Sequence, residues 1–173
     1  MSKESFIKKF LPQSVYHTLL RIRGQWGPNP YRPWHDETES LFIHIPKTAG
    51  TSIAKAIYDC GPNHTKLKYF QAFDPERYRR YFKFTVVRNP YDRFVSAVFN
   101  ARKVDEQGIP HHPWFYNRFG DIAFGALFER LDKQSERKEL MKHILFQPQH
   151  RFITDLSGEV DMDYIGRFEA LPK

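Results

Sequence analysis

With 173 residues, the chain has room for one domain with a substantial core, and two full domains would be a tight fit. A hydrophobic fraction of 40% and an aromatic fraction of 16% are typical of a globular protein and argue against extended disorder. The excess of 27 Lys and Arg over 20 Asp and Glu gives a net charge of +7, which favours anionic ligands without choosing among nucleotides, acidic sugars, nucleic acid and a lipid surface.

The N-terminal region is basic, and we expect neither a secretory signal peptide nor a membrane span in it. Its first 26 residues contain no apolar run long enough for a signal peptide or a membrane span. Because Cys60 is the only cysteine, no intrachain disulfide can form, and we expect a reducing, cytoplasmic location. Residues 5–23 place apolar side chains among lysines and arginines, which predicts a basic amphipathic helix interrupted by Pro12. Docking of this segment on the domain is the simpler interpretation, and peripheral membrane association is the alternative.

A first strand, loop and helix follow a proline-rich stretch. Residues 27–40 carry three prolines and are interpreted as a linker, so residues 1–40 are assigned to the N-terminal segment and the domain to residues 41–173. The apolar run LFIHI at 41–45 predicts a strand, and residues 46–50 predict a loop. The next stretch, TSIAKAIYDC, predicts a helix because its apolar residues recur at helical spacing.

A second unit of the same kind comes next. Asp74 followed by Pro75 is a typical helix start, so PERYRRYF is predicted as a short helix. FKFTVV at 82–87 predicts a second buried strand, and the residues after Pro90 predict a half-buried helix. The aromatic stretch 104–119 is rich in turn residues and has no periodicity, so it is predicted as a loop.

The last third of the chain predicts two more helices and a strand. Apolar stripes indicate helices around residues 124–131 and 140–145, and MDYIGRF indicates a third strand. Strands that alternate with helices favour an α/β domain with a mainly parallel sheet, whose ligands bind at the carboxyl ends of the strands. The chain stops soon after this strand without a covering helix, so we expect the domain to be truncated at its C-terminus.

The first loop carries residues suited to anion binding. A glycine permits close backbone approach, a lysine supplies a mobile cation, and hydroxyl groups stand at a helix start, where the dipole favours an anion. These residues are Lys47, Thr48, Gly50, Thr51 and Ser52. Their order differs from the Walker pattern G-x-x-x-x-G-K-[ST], which argues against a site for a magnesium nucleoside triphosphate. The alternative is an ordinary turn in which Thr51 or Ser52 caps the helix.

The second loop follows the second strand. Arg88 leaves the end of that strand, and Ser96 comes eight residues later on the following helix. A guanidinium and a hydroxyl that converge there can bind a second phosphate. The alternative is that Arg88 pairs with Asp92 and that Ser96 is a small packing residue.

The two loops in this order carry a family resemblance. FIHIPKTAGTSI followed by FKFTVVRNPYDRFVSA resembles the sulfotransferases that use 3'-phosphoadenosine 5'-phosphosulfate (PAPS), in particular the carbohydrate sulfotransferase branch and its bacterial relatives. QPQHRFI and DYIGRFEAL resemble that branch more weakly, and the likeness runs from about residue 41 to residue 171. The resemblance implies a P-loop-like, three-layer α/β domain with a mainly parallel sheet flanked by helices.

The resemblance also implies which residues hold the donor. The 5'-phosphosulfate loop would be formed by Lys47, Thr48, Ala49, Gly50, Thr51 and Ser52. Arg88 and Ser96 would hold the 3'-phosphate, and no metal would be used. The implied reaction is transfer of a sulfuryl group to a hydroxyl by in-line displacement, in which Lys47 stabilises charge on the leaving oxygen.

Such a reaction needs a general base for the proton of the acceptor. His64, between the first helix and the second strand, is favoured because the resemblance implies a candidate base histidine in similar segments of bacterial relatives. A surface-loop histidine without a catalytic role is the alternative interpretation of His64, and Glu169 after the third strand is the other candidate base. His111 and His112 are candidates for acceptor contact, although no third ligand at suitable spacing indicates a metal site. His44 is expected to pack along the first strand and to orient the loop.

The acceptor is predicted to be a carbohydrate, and the positive charge suits an anionic glycan. An aromatic wall for sugar rings is a further hypothesis, although such side chains more often belong to a core; the candidates are Tyr69, Phe70, His111, Trp114, Phe115 and Tyr116. One rival is a phosphotransferase with an atypical P-loop, which would need a carboxylate where the second strand ends in Arg88. The other is a non-catalytic module that binds a nucleotide or polyanion. Nucleic-acid binding is not expected, because the basic residues are scattered.

Overall fold

The computed structural model describes residues 28–59, 61 and 63–172, together with the isolated positions Pro12, Ser14, Val15, Thr18, Leu19 and Ile22. Apart from those isolated positions, the helix predicted at residues 5–23 lies outside the described residues. Within the described part of the chain, no helix combines the length and the apolar character that a membrane span requires.

The described residues alternate strands with helices. The strands are β1 Ser40–Phe42, β2 Phe82–Val87 and β3 Tyr164–Arg167. The helices are α1 Pro33–Thr38, α2 Gly50–Tyr58, α3 Leu67–Phe73, α4 Pro75–Arg80, α5 Pro90–Ala101, α6 Pro113–Phe119, α7 Phe124–Leu131, α8 Gln134–Leu140 and α9 His150–Ile153. Short 3₁₀ turns cover Ile144–Phe146 and Phe168–Ala170.

The sheet is parallel throughout, in the order β1-β2-β3. Leu41 lies opposite Lys83, and Thr85 lies opposite Ile165. The Thr85 hydroxyl also donates to Ile43 O at 2.7 Å, which extends the contact between the two chain segments past the end of β1. The prediction of an α/β domain with a parallel sheet is confirmed, and the carboxyl ends of all three strands meet at one edge.

Side-chain caps explain where two of the helices begin. The Asp74 carboxylate accepts from Glu76 N and Arg77 N, and Pro75 occupies the first position of α4, as predicted. Asn89 caps α5 in the same way, because its side-chain oxygen accepts from the backbone N–H groups at positions 91 and 92. Arg88 is therefore held directly between the end of β2 and a capped helix start.

Two apolar clusters form the core. The first packs β1 and the residues after it against α3, α4 and α9; it contains Tyr31, Leu41, Ile43, Ile45, Leu67, Phe70, Tyr78, Tyr81, Phe152 and Ile153. The second joins α5, α6, α7 and α8; it contains Ala97, Val98, Ala101, Phe115, Phe119, Leu127, Leu131, Leu140, Leu145 and Phe146. Ile144 packs against both clusters.

The segment predicted as a linker belongs to the domain from Tyr31 onward. Tyr31 is buried, and its hydroxyl donates to Phe70 O and Asp74 O at 3.2 and 3.1 Å. His35 on α1 is also buried. The linker prediction is wrong for these residues because it treats the prolines as helix breakers, whereas Pro33 occupies the first position of α1.

The predicted loop at residues 104–119 is wrong in its second half, where α6 forms. Pro113 again occupies the first helical position, and Phe115 and Phe119 lie four residues apart on one buried face. The helix predicted around residues 140–145 is displaced. Helix α8 ends at Leu140, and a 3₁₀ turn carries the apolar residues that follow.

Acid is expected to destabilise the fold through His35. Arg32 N donates to His35 Nδ1 at 3.0 Å, and burial lowers the pKa of His35 from 6.5 to about 4. As the pH falls, His35 is protonated in the unfolded chain before it is protonated in the folded protein. The contribution of neutral His35 to the free energy of unfolding is therefore fully present above pH 6.5 and is lost as the pH falls towards about 4. Between those pH values, chemical denaturation should show the free energy of unfolding of the wild type falling by about 1–3 kcal/mol more than that of His35→Gln.

His150→Gln is the control for this experiment, because His150 is exposed on α9. It should follow the wild-type pH dependence. Parallel curves for the wild type and His35→Gln would contradict the assignment.

Candidate functional site

The loop between β1 and α2 is backbone-strained and opens onto a helix N-terminus. Lys47 and Ala49 have φ values of 71° and 65°, a left-handed conformation that non-glycine residues rarely adopt. Helix α2 starts at Gly50, and no side chain caps its first turn. Thr51 and Ser52 are exposed there. An uncapped helix start directs its backbone N–H groups at whatever anion approaches.

The glycine in this loop is required by a histidine. A Cβ atom on Gly50 would lie 1.6 Å from His44 Cδ2, so any larger residue would collide with the ring. His44 is buried, as predicted, and burial lowers its pKa to about 3, with the electrostatic influence of His64 and Lys47 adding to the effect. The His44 ring is thus a reason for glycine at position 50 that is independent of any ligand.

Thr48 faces into the protein. Its side chain is fully buried, and its hydroxyl donates to Ile45 O at 2.8 Å. The hydroxyl therefore shapes the loop, and Thr51 and Ser52 are the members of the predicted hydroxyl set that face solvent.

Positive charges converge above the loop. Arg88 Nη1 donates to Lys47 O at 3.3 Å, so the structure brings the end of β2 onto the loop that follows β1. The pKa of the Lys47 ammonium is lowered, first by burial and then by the charges of Lys103 and Arg88. The charge of Lys103, which the sequence interpretation did not include, therefore acts on Lys47.

The Arg88 side chain is partly enclosed. Its guanidinium carbon lies 4.2 Å from the centroid of the Phe168 ring, and its Nε is buried without a hydrogen-bond partner among the described residues. Ser96 is half-buried on α5, and its hydroxyl has no hydrogen bond within the described ranges. Both predicted 3'-phosphate residues therefore keep donor groups that nothing in the described chain uses.

Glutamine and arginine residues that the sequence interpretation missed support the two loops. Arg93 on α5 is only 6% exposed and donates to Pro46 O in the first loop. Gln149 pairs through its side-chain amide with the backbone of Arg88. The motifs RNPYDRFVSA and QPQHRFI contain these residues and were the available signal.

His64 lies against the first loop through His44. The two imidazole rings are 4.4 Å apart between centroids, and His64 Nδ1 is 3.3 Å from His44 O. Since a carbonyl only accepts, Nδ1 carries the proton and Nε2 of the neutral ring is left as an acceptor. Burial lowers the pKa of His64, so the ring is neutral at pH 7.

The other proposed acid–base groups are placed differently. Glu169 is exposed and accepts from Asn89 N at 2.6 Å, and this hydrogen bond lowers its pKa and makes it a weaker base. His112 is half-buried, and its pKa is lowered first by burial and then by the charges of His111 and Lys47. His112 is therefore within electrostatic range of the Lys47 ammonium. His111 is exposed.

Part of the aromatic wall belongs to the core. Phe70 and Phe115 are buried within the two apolar clusters, so they are not available to a ligand. Trp114 and Tyr69 are each 38% exposed, and Trp114 stacks on His143 at 5.9 Å between centroids. Among the described residues, no group of three or more His, Cys, Asp or Glu side chains is arranged to hold a metal ion.

Comparison with known proteins identifies a family for this chain. A family model described as "Sulfotransferase family" matches residues 35–173, which is well over half of the chain. Comparisons with curated proteins and with solved structures find no match. The matched region includes both loops, His64 and the whole parallel sheet, and the chain belongs to the sulfotransferase family.

Proposed function

We propose that this chain transfers a sulfuryl group from PAPS to a hydroxyl of a carbohydrate acceptor. Membership of the sulfotransferase family supports sulfuryl transfer in general. The observation that supports this donor is the contact between Arg88 and the Lys47 loop, which joins two anion-binding positions at the carboxyl edge of the sheet. A donor with a 5'-phosphosulfate and a 3'-phosphate has an anionic group for each position.

The unused donors at this edge fit such a ligand. The buried Arg88 Nε has no partner among the described residues, and burying a guanidinium donor without one is costly. The pKa of Lys47 is lowered partly by its cationic neighbours, so a bound anion would relieve repulsion among them. We therefore assign the 5' side of the donor to residues 47–52 and the 3'-phosphate to Arg88 and Ser96.

Each residue has a role in the chemistry. When bound, the donor supplies a sulfuryl group whose bond to the 5'-phosphate oxygen breaks as the acceptor oxygen bonds to sulfur. Lys47 and the backbone N–H groups at the start of α2 stabilise the charge left on that phosphate oxygen. His64 Nε2 accepts the proton from the acceptor hydroxyl, since Nδ1 is held by His44 O.

The acceptor assignment rests on one exposed aromatic side chain and on the positive charges that act on Lys47. Exposed Trp114 offers an aromatic face of the kind on which sugar rings pack. Lys103 adds positive charge beside Lys47, which suits an anionic glycan. We propose that the acceptor approaches between α6 and the first loop, where His112 also lies within the field of Lys47.

Nucleotide binding should depend on both cations of the site. Calorimetric titration with 3'-phosphoadenosine 5'-phosphate should show Lys47→Ala and Arg88→Ala each raising Kd by about 10- to 100-fold, because each removes a charge-assisted hydrogen bond. ATP with magnesium should bind more weakly than this nucleotide.

The controls are Lys55→Ala, exposed on the same helix α2, and Arg79→Ala, exposed on α4. Both should bind like the wild type. A preference for magnesium ATP would favour the phosphotransferase rival, and indifference to the Lys47 and Arg88 substitutions would contradict the proposal.

Turnover should depend on His64. With a panel of sulfatable glycans as acceptors, His64→Ala should lower kcat by about 10²-fold while nucleotide affinity stays unchanged, because the side chain acts on the acceptor proton. The lowered pKa of His64 places the acid limb of the wild-type pH profile below 6.5, since activity requires the neutral ring.

Glu169→Gln is the matched comparison, because the amide oxygen can still accept from Asn89 N. It should retain turnover. If Glu169→Gln lost turnover and His64→Ala kept it, the base would be the carboxylate. If both retained turnover, neither assignment would stand.

A further inference from the structure

Hydrogen bonds and two short backbone stretches, residues 46–47 and 147–149, form a closed loop that joins the two proposed anion-binding positions. Six residues contribute its hydrogen bonds, and we call them the hydrogen-bonded ring: Pro46, Lys47, Arg88, Arg93, Gln147 and Gln149. It contains one contact between the positions themselves, from Arg88 Nη1 to Lys47 O at 3.3 Å. The other hydrogen bonds of the ring involve Arg93 on α5 and the two glutamines in the segment before α9.

Arg93 forms the first side of the ring. Its Nη1 donates to Pro46 O at 3.3 Å and to Leu145 O at 3.1 Å, and its Nη2 donates to Gln147 O at 2.6 Å. One guanidinium thus joins the first loop to a segment about 100 residues further along the chain. Its planar fork can serve carbonyl groups from both segments at once, which a lysine ammonium on a flexible stem does less well.

Gln149 forms the second side. Arg88 N donates to Gln149 Oε1 at 3.0 Å, and Gln149 Nε2 donates to Arg88 O at 2.7 Å. Both backbone groups of Arg88 are therefore fixed by one side chain at the point where β2 ends. Because Gln147 and Gln149 are two residues apart, one short segment carries both the carbonyl held by Arg93 and the amide that holds Arg88.

The segment in between is itself anchored. Lys66 Nζ donates to Gln147 Oε1 at 2.6 Å, and Gln147 Nε2 donates to Lys142 O at 3.1 Å. Leu145 and Phe146 are buried in the second apolar cluster. The ring therefore rests on packed structure and not on a free loop.

We propose that the hydrogen-bonded ring sets the spacing between the two anion positions, and that Arg93 and Gln149 are positioning residues that select a nucleotide carrying both a 3'- and a 5'-phosphate. This inference rests on the proposed function. Neither residue needs to touch the nucleotide: Arg93 holds the loop at Pro46, and Gln149 holds the backbone from which the Arg88 side chain extends.

The test compares two ligands that differ by one phosphate. Calorimetry gives the Kd for adenosine 5'-monophosphate divided by the Kd for 3'-phosphoadenosine 5'-phosphate, which measures what the 3'-phosphate contributes. Gln149→Met keeps the side-chain length and removes both hydrogen bonds to Arg88. It should lower this ratio about tenfold, while affinity for the monophosphate changes less than about twofold.

Arg93→Lys is the second variant, and it retains the positive charge. It should weaken binding of both nucleotides and also lower the ratio, because the loop and the Arg88 backbone lose their common support. Gln71→Met is the matched control: Gln71 is also half-buried, and its Oε1 accepts from Leu156 N at 2.7 Å, away from the ring. It should leave the ratio unchanged even if its melting temperature falls.

The outcomes separate this inference from the proposed function. If the wild type prefers the bisphosphate and Arg88→Ala removes that preference, while folded Gln149→Met and Arg93→Lys both retain it, the ring inference is overturned alone. An equal loss of preference in Gln71→Met would also overturn it, because a general loss of stability would then explain the effect. A wild type without preference for the bisphosphate would overturn the proposed function and the inference together.

Discussion

Parallel pairing of β1 with β2 is the constraint on which the site depends. It places the ends of both strands at one edge, so that Lys47 and Arg88 meet although 40 residues separate them in the chain. Two bonds beyond the short β1 keep the pairing in register: Ile43 N donates to Phe84 O at 2.9 Å, and the Thr85 hydroxyl donates to Ile43 O. An antiparallel arrangement would send the two strand ends to opposite edges and would separate the cations.

The positive charges gathered at this edge oppose one another and are partly removed from water. Burial and neighbouring cations both lower the pKa of Lys47, and Arg93 is buried against carbonyl groups. Such an arrangement costs stability in the free protein, and binding of the proposed anionic donor would offset that cost, as in sites that are organised before their ligand arrives. The left-handed backbone at Lys47 and Ala49 is a second unfavourable feature of this loop in the free protein.

The sequence predicted the parts of the fold that local patterns determine. The six residues of β2 and the Asp74 cap of α4 were found where they were expected, since strand composition and capping act over a few residues. Helix α6 was missed, because prolines and turn residues concealed Phe115 and Phe119 as one buried face. The core position of Tyr31 depends on contacts with Phe70 and Asp74, which no local pattern reveals.

The site shows the same division between local and long-range information. Loop motifs indicated Lys47 and Arg88 because an anion site uses recognisable residue types at strand ends. Arg93 could not be assigned from periodicity, since an arginine on a helix is usually exposed, and its carbonyl partners lie in two distant segments. The close backbone approach expected at Gly50 stays a prediction, and no local pattern revealed that the His44 ring also excludes a side chain there.

His44 also links the proposed base to the proposed cation. Its ring packs over Gly50 and against the His64 ring, and its carbonyl accepts from His64 Nδ1. His44 precedes Lys47 by only three residues, so the imidazole that would take the acceptor proton and the ammonium that would stabilise the leaving group are positioned by the same short segment. In-line displacement needs the entering and leaving oxygens on opposite sides of sulfur, which requires the groups acting on them to be held at a constant separation. A shared segment provides that constancy without a contact between the two side chains.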